Sequence, residues 1–256
     1  MTLPEIREPD ASPAVAAIYE GLRAGVGVGQ VNLIWRHAAA VPGVLDWLWA
    51  QARQALCSGA AAGARDRIAA SVPVPALPRI GLPDAAAALI ETYNRGNLTN
   101  LALLTAILRR AEGMTAGAPG ASAPIGAALP PPPPLPRLMD LAPDSAAIVR
   151  RLAARHGLSD PAVVPSLYLH AALWPDLLAQ LPAALAPLFG GGALDAARMA
   201  AIAAAEAEAP GLIAALGAAP PAPAGLQPFL GTLALFLRDV IPAMVPVGLA
   251  LRRAAA

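Results

Sequence analysis

Long apolar stretches in this chain are bounded by residues that start and stop helices, and the every-second-residue alternation of strands is nowhere sustained. Ser12-Pro13 reads as an N-cap followed by proline at the first helical position, where its missing N–H has no bond to lose. Pro42 and Pro175 each follow a short break and start a helix. Asp84 is expected to cap a long helix that runs through Arg110. Gly190-Gly191-Gly192 and Pro210-Gly211 each read as a helix end, and Ser71 to Pro83 as a proline-punctuated loop. The expected fold class is all-α.

The chain also repeats itself. Val31-Asn32-Leu33-Ile34-Trp35-Arg36-His37, closed by Pro42, aligns with Val164-Pro165-Ser166-Leu167-Tyr168-Leu169-His170, closed by Pro175. His37 falls on His170, and Trp35 falls on Tyr168. Upstream, Leu22 and Gly27 fall on Leu152 and Gly157; downstream, Arg65 falls on Arg198. This predicts an internally duplicated helical unit forming a pseudo-dimer: a first repeat over 1–112, a Gly/Ala/Pro-rich linker over 113–137 and a second repeat over 138–256. Five prolines, Pro130 to Pro134, stiffen the linker and bar it from a helix or sheet ladder. A surface linker is the simpler reading; a ligand for a proline-binding module is the other. A cleft between two related halves is a favoured place for a ligand.

Composition strengthens the helical expectation. Hydrophobic residues make up 57% of the chain, much of it alanine, and aromatics only 4%. The mean hydropathy of +0.55 raises the question of a membrane span. The best candidate, Leu226 to Leu251, is interrupted by Arg238 and Asp239 and punctuated by Pro228, Pro242 and Pro246. It reads as buried core helices, so no membrane role is expected. The first residues carry neither a basic segment nor an apolar one, which points to a cytoplasmic protein. A net charge of +1 without a basic stripe argues against nucleic acid as a partner. The single cysteine, Cys57, excludes an internal disulfide and a Cys-x-x-Cys redox pair.

The two copies differ most in polarity where Tyr93-Asn94-Arg95-Gly96-Asn97-Leu98-Thr99-Asn100 stands opposite the apolar Phe229 to Phe236. Asparagine is a poor helix-interior residue, so Asn94 and Asn97, three apart on one face, need a reason. An interhelical hydrogen bond, a kink at Gly96 and a pocket amide are the alternatives. His37 and His170 share an equivalent position, which suggests packing histidines in both copies. Trp35, Trp47, Trp49 and Trp174 are assigned to the core.

Asn94-Arg95-Gly96-Asn97 followed by Leu104-Thr105-Ala106 resembles a signature of the group I 2-haloacid dehalogenases. Arg36-x-x-Ala39-x-x-Pro42-Gly43 and Pro165-Ser166 leading to Ala172-x-Trp174-Pro175 are similar as well. The resemblance spans nearly the whole chain. It implies hydrolysis of the carbon–halogen bond of a small 2-haloalkanoate in a pocket between the repeats, with water as the direct nucleophile and an aspartate as its base. It implies no metal and no organic cofactor, a small-molecule carboxylate as partner, and leaves room for a homodimer. Carried over residue by residue, the pocket asparagine falls on Asn97 and the serine before the catalytic aspartate on Ser166. Two aromatic walls fall on Gln30 and Leu33. The aspartate itself falls on Leu167, which cannot accept a proton. Among other carboxylates, Asp176 reads as a first-turn helix residue, Asp160 as an N-cap, and Glu91 ranks first as a substitute base. The competing expectation is a non-catalytic relative that binds a small carboxylate. Kinship with the carboxymuconolactone decarboxylase helical folds is a third, though their redox branch needs paired cysteines.

Overall fold

The computed structural model describes residues 3–255 and contains no strand among them. Helix α1 (Pro13–Val26) opens the first half, and the Ser12 hydroxyl accepts from the Val15 N–H at its start. Short α2 (Leu33–Ala39), α3 (Val44–Cys57), α4 (Ala60–Ser71) and the 28-residue α5 (Asp84–Ala111) follow. The second half holds α6 (Pro143–Ala154), the short α7 (Ser166–Ala171), α8 (Pro175–Ala184), α9 (Ala186–Phe189) and α10 (Ala193–Ala215). Last comes α11 (Leu226–Leu235), which passes through a π-helical stretch, Phe236–Val240, into α12 (Ile241–Ala254).

Four helix-end signals act differently from the sequence reading. Helix α10 does not stop at Pro210 but continues to Ala215. A proline removes one intrahelical bond. Here the buried stripe Ala197, Ala201, Ala205 and Ala209 carries on through Leu212 and Ile213, so packing holds the helix together. Pro42 sits in a turn, and α3 begins after Gly43, whose φ of 75° is left-handed. Asp160 caps no helix; its carboxylate accepts from the Ala162 N–H in a turn. At α5, Pro83 rather than Asp84 stands at the cap position.

The centre of the molecule is α5, which packs against α4, α10 and α12. From Leu98 to Leu108 every side of it is buried, which is why this stretch lacks a polar face. One apolar cluster joins α1–α5 to α10, α11 and part of α12; the other joins α6–α9 to the first turns of α5 and to Met244, Val247 and Leu251. Residues from both sides of the linker therefore share each core. The helix from Leu226 to Ala254 is long and apolar enough to cross a membrane by composition, yet 67% of its most apolar window is buried inside the fold. It reads as a core helix, as expected.

The three asparagines of α5 stand three residues apart, so each is turned about 60° from the last. They go to three places. Asn94 donates to the Gly248 carbonyl on α12 at 3.0 Å. Asn97 faces a cavity. Asn100 accepts from the Trp35 indole N–H at 2.8 Å. Gly248 leaves room for this amide, because a Cβ there would lie 2.2 Å from Asn94 Oδ1 and push the side chain away. Helix α5 is unbroken at Gly96.

The linker lies against the surface as a strap and is fastened along its length. Its Ala123 and Leu129 N–H groups donate to the Gly59 and Gly27 carbonyls, at 3.0 and 3.1 Å. Arg95 donates to the Ala127 carbonyl at 2.7 Å. At Gly29 a Cβ would come within 2.4 Å of the Pro131 backbone, so only glycine lets the polyproline run lie this close.

Candidate functional site

A cavity of about 250 Å³ lies where α2, α5 and α7 meet the π-helical stretch and the end of the strap. Its walls are mostly apolar: Val31, Ile34, Val163, Val164, Phe236, Val240, Ile241 and Met244. Leu33 and Leu135, exposed by 37% and 47%, border its mouth. Polar groups enter from few directions: Gln30, Asn32 and Arg36 from the start of the chain, Tyr93 and Asn97 from α5, Ser166 and His170 from α7. An apolar pocket with a few convergent polar groups is the usual form of a small-molecule site.

Gln30, Leu33, Asn97, Ser166 and Leu167 all line this cavity. Leu167 is 3% exposed and packs with Tyr168 and Leu178 in the second core, so the position expected to carry a base presents an aliphatic wall. Glu91 does not line the cavity, which corrects its reading as a substitute base. It sits one turn before Arg95, accepting from the Arg95 Nε–H at 3.0 Å, and its other oxygen faces Arg252 at 3.5 Å. No aspartate or glutamate is among the lining residues. Among the described residues no group of three or more His, Cys, Asp or Glu is placed to hold a metal ion.

Asn32, Arg36, Tyr93 and His170 are the polar lining residues that the sequence did not mark as pocket residues. Arg36 points its Nε–H at Glu5 Oε2, 2.7 Å away, and its guanidinium makes no other hydrogen bond among the described residues. It is the one cation on the cavity wall. His170 is 2% exposed and bonded on both ring nitrogens. Nε2 lies 2.9 Å from the Pro133 carbonyl of the strap, and Nδ1 lies 2.7 Å from the Tyr93 hydroxyl. A carbonyl only accepts, so Nε2 carries the proton and Nδ1 accepts from Tyr93. Burial depresses the imidazole's pKa, only partly offset by the Pro133 carbonyl, which favours a neutral ring. Burial raises the Tyr93 phenol well above its ordinary value, against the opposing pull of the Ser166 hydroxyl beside it and of the Arg36 charge. The two histidines thus separate in role. His37 is a packing residue, bonded to the Pro4 carbonyl at 2.8 Å and stacked on Phe229; His170 belongs to the cavity.

The surroundings hold the wall in place. His156 bonds the Tyr168 hydroxyl at 2.7 Å, next to Leu167 on α7. Asp239, in the π-helical stretch, accepts from the Ser159 N–H at 3.0 Å and from Arg198 at 2.8 Å. It ties the loop before α7 to the helix that forms the opposite wall. Trp35 and Trp47 are buried and bonded away from the cavity, to Asn100 and to the Pro220 carbonyl; Trp49 and Trp174 are half-buried and pack against the two cores.

No protein-family model matches the chain, and no curated protein sequence matches it. Solved structures do. A D-2-haloacid dehalogenase mutant in complex with D-2-CPA superposes with a TM-score of 0.81 at 18% identity, covering 100% of this chain and 96% of that one. A D-2-haloacid dehalogenase with L-LA superposes with a TM-score of 0.78 at 18% identity, covering 100% and 97%. A further mutant structure gives 0.77 at 17% identity. At these identities the likeness is one of architecture, and it extends from end to end: the chain has a 2-haloacid dehalogenase-type fold.

Proposed function

We propose that the cavity binds a small 2-haloalkanoate or a closely related carboxylate and that the chain hydrolyses its carbon–halogen bond. The observation that carries this reading is the pairing of one cation, Arg36, with a mostly apolar cavity of about 250 Å³ that offers a few neutral polar groups. Such an enclosure suits an acid of a few carbon atoms with a halogen or methyl at the α-carbon. The guanidinium takes the carboxylate, the aliphatic walls take the halogen and the alkyl end, and the Asn97 amide and Ser166 hydroxyl remain for water. Neither metal nor organic cofactor enters the scheme, and a cytoplasmic setting with no nucleic-acid or membrane partner accompanies it.

Halide release from D- and L-2-chloropropionate tests this directly. The expected result is stoichiometric chloride and 2-hydroxypropionate from at least one enantiomer. A second reading is favoured by Leu167, which leaves no carboxylate on the wall: the chain binds the acid without turning it over. Binding of both enantiomers with no chloride released selects that reading.

A further inference from the structure

Hydrolysis by direct water attack needs a proton acceptor, and the lining residues include no carboxylate. They do include a hydrogen-bonded chain: Ser166 beside the Tyr93 hydroxyl, Tyr93 donating to His170 Nδ1 at 2.7 Å, and His170 Nε2–H donating to the Pro133 carbonyl at 2.9 Å. Resting on the dehalogenase reading above, we infer that Tyr93 and His170 form the proton relay that activates the attacking water. A water at the Tyr93 oxygen attacks the α-carbon as the carbon–halogen bond breaks, and halide leaves with the bonding pair. One water proton passes to the Tyr93 oxygen while the tyrosine's own proton passes to His170 Nδ1. The second water proton stays on the hydroxyl of the 2-hydroxy acid. Tyrosine ends neutral, and histidine ends as an imidazolium whose two N–H groups face Tyr93 and Pro133. It returns its proton to solvent when product leaves.

The geometry suits each part. Tyr93 and His170 come from different helices, 77 residues apart, and meet at the cavity wall. The strap carbonyl fixes the tautomer that leaves Nδ1 free to accept, so part of the linker belongs to the machinery. A tyrosine that gives a proton as it takes one never becomes a buried phenolate, which its environment opposes. The charged group facing the pair is Arg36 from α2; α7 contributes the neutral Ser166 hydroxyl and the strap a backbone carbonyl.

The test compares wild type, Tyr93→Phe and His170→Gln for binding of 2-chloropropionate by calorimetry and for halide release across pH. Tyr93→Phe keeps the ring, and His170→Gln keeps hydrogen-bonding capacity without basicity. Each is expected to bind within about threefold of wild type while kcat falls roughly 100-fold or more. Wild-type kcat/KM is expected to fall on an acid limb below the ordinary histidine pKa of 6.5, and the residual rate of His170→Gln is expected to lack that limb. Nitrogen NMR of His170 is expected to show the neutral Nε2–H tautomer at neutral pH. Wild-type halide release by Tyr93→Phe overturns the relay, as does a His170 protonated on Nδ1 at neutral pH. Binding by wild type without halide release overturns the relay and leaves carboxylate binding standing. No binding at all removes both.

Discussion

Asp239→Ala is expected to destabilise the fold by about 3 kcal/mol, the lower end of what removing one partner from a buried ion pair costs. The Asp239 and Arg198 side chains are only 12% and 19% exposed, so Arg198 is left without its counter-charge in a place water reaches poorly. The Ser159 N–H loses its acceptor too. Burial alone would push the Asp239 carboxyl up, but the Ser159 N–H and Arg198 outweigh it and hold the group below the usual carboxylate range. Urea unfolding of the variant checks the magnitude. Asp239→Asn keeps an acceptor for only one of the two donors and turns an amide N–H toward the other, so it is expected to recover little of that loss. The consequence reaches the cavity, because Leu158 and Val163 on one wall and Val240 and Ile241 on the other flank this link.

The second large effect is a loss of stability in mild acid. Burial, only partly opposed by the Ala243 backbone, pushes His156 from its ordinary 6.5 down to about 4, and the Arg198 charge adds to the depression. Between these values the unfolded chain binds a proton that the folded chain refuses, so unfolding gains ground as pH falls. The stability this group contributes is complete above pH 6.5 and is lost on the way to pH 4, amounting to about 3 kcal/mol. His156→Phe is expected to make the stability curve shallower in that window, leaving the part due to His170. Asp239 titrates below it, since its pKa lies under 3.8, so the two contributions separate by pH. A stability curve flat from pH 6.5 to 4 in the wild type contradicts this account of His156.

Most of the helical architecture could be read from the residues. Ser12-Pro13 starts a helix, the linker forms none, and the long C-terminal apolar segment lies in the core, because capping and proline chemistry are local and act wherever they occur. Pro210 shows where that locality ends: a buried alanine stripe outlasted a helix-stopping signal. Within the cavity, Asn97, Ser166, Leu167, Gln30 and Leu33 were legible because a resemblance supplied the positions. Asn94 was grouped with Asn97 by spacing, and the 60° turn between them sends one to α12 and the other to the cavity. His170 was obscured by its match to His37: equal places in a repeat suggested equal tasks, whereas one ring stacks on Phe229 and the other bonds Tyr93. A signal was present, since Ser166 and His170 stand four apart and so share a helix face. The strap's part could not be read from sequence, because a polyproline run carries no mark of where its carbonyls will point. Arg36 belongs to a motif in the sequence, but nothing local to it says that Glu5 takes only its Nε–H.

The proposed function rests on a cavity built for a small carboxylate, with Arg36 as its anchor. Calorimetric titration of each 2-chloropropionate enantiomer into the wild type and into Arg36→Gln tests it most directly. One site per chain is expected in the wild type, with affinity about 10- to 100-fold weaker in the variant, the effect of one charge-assisted hydrogen bond. No binding to the wild type, or equal binding by both proteins, contradicts it.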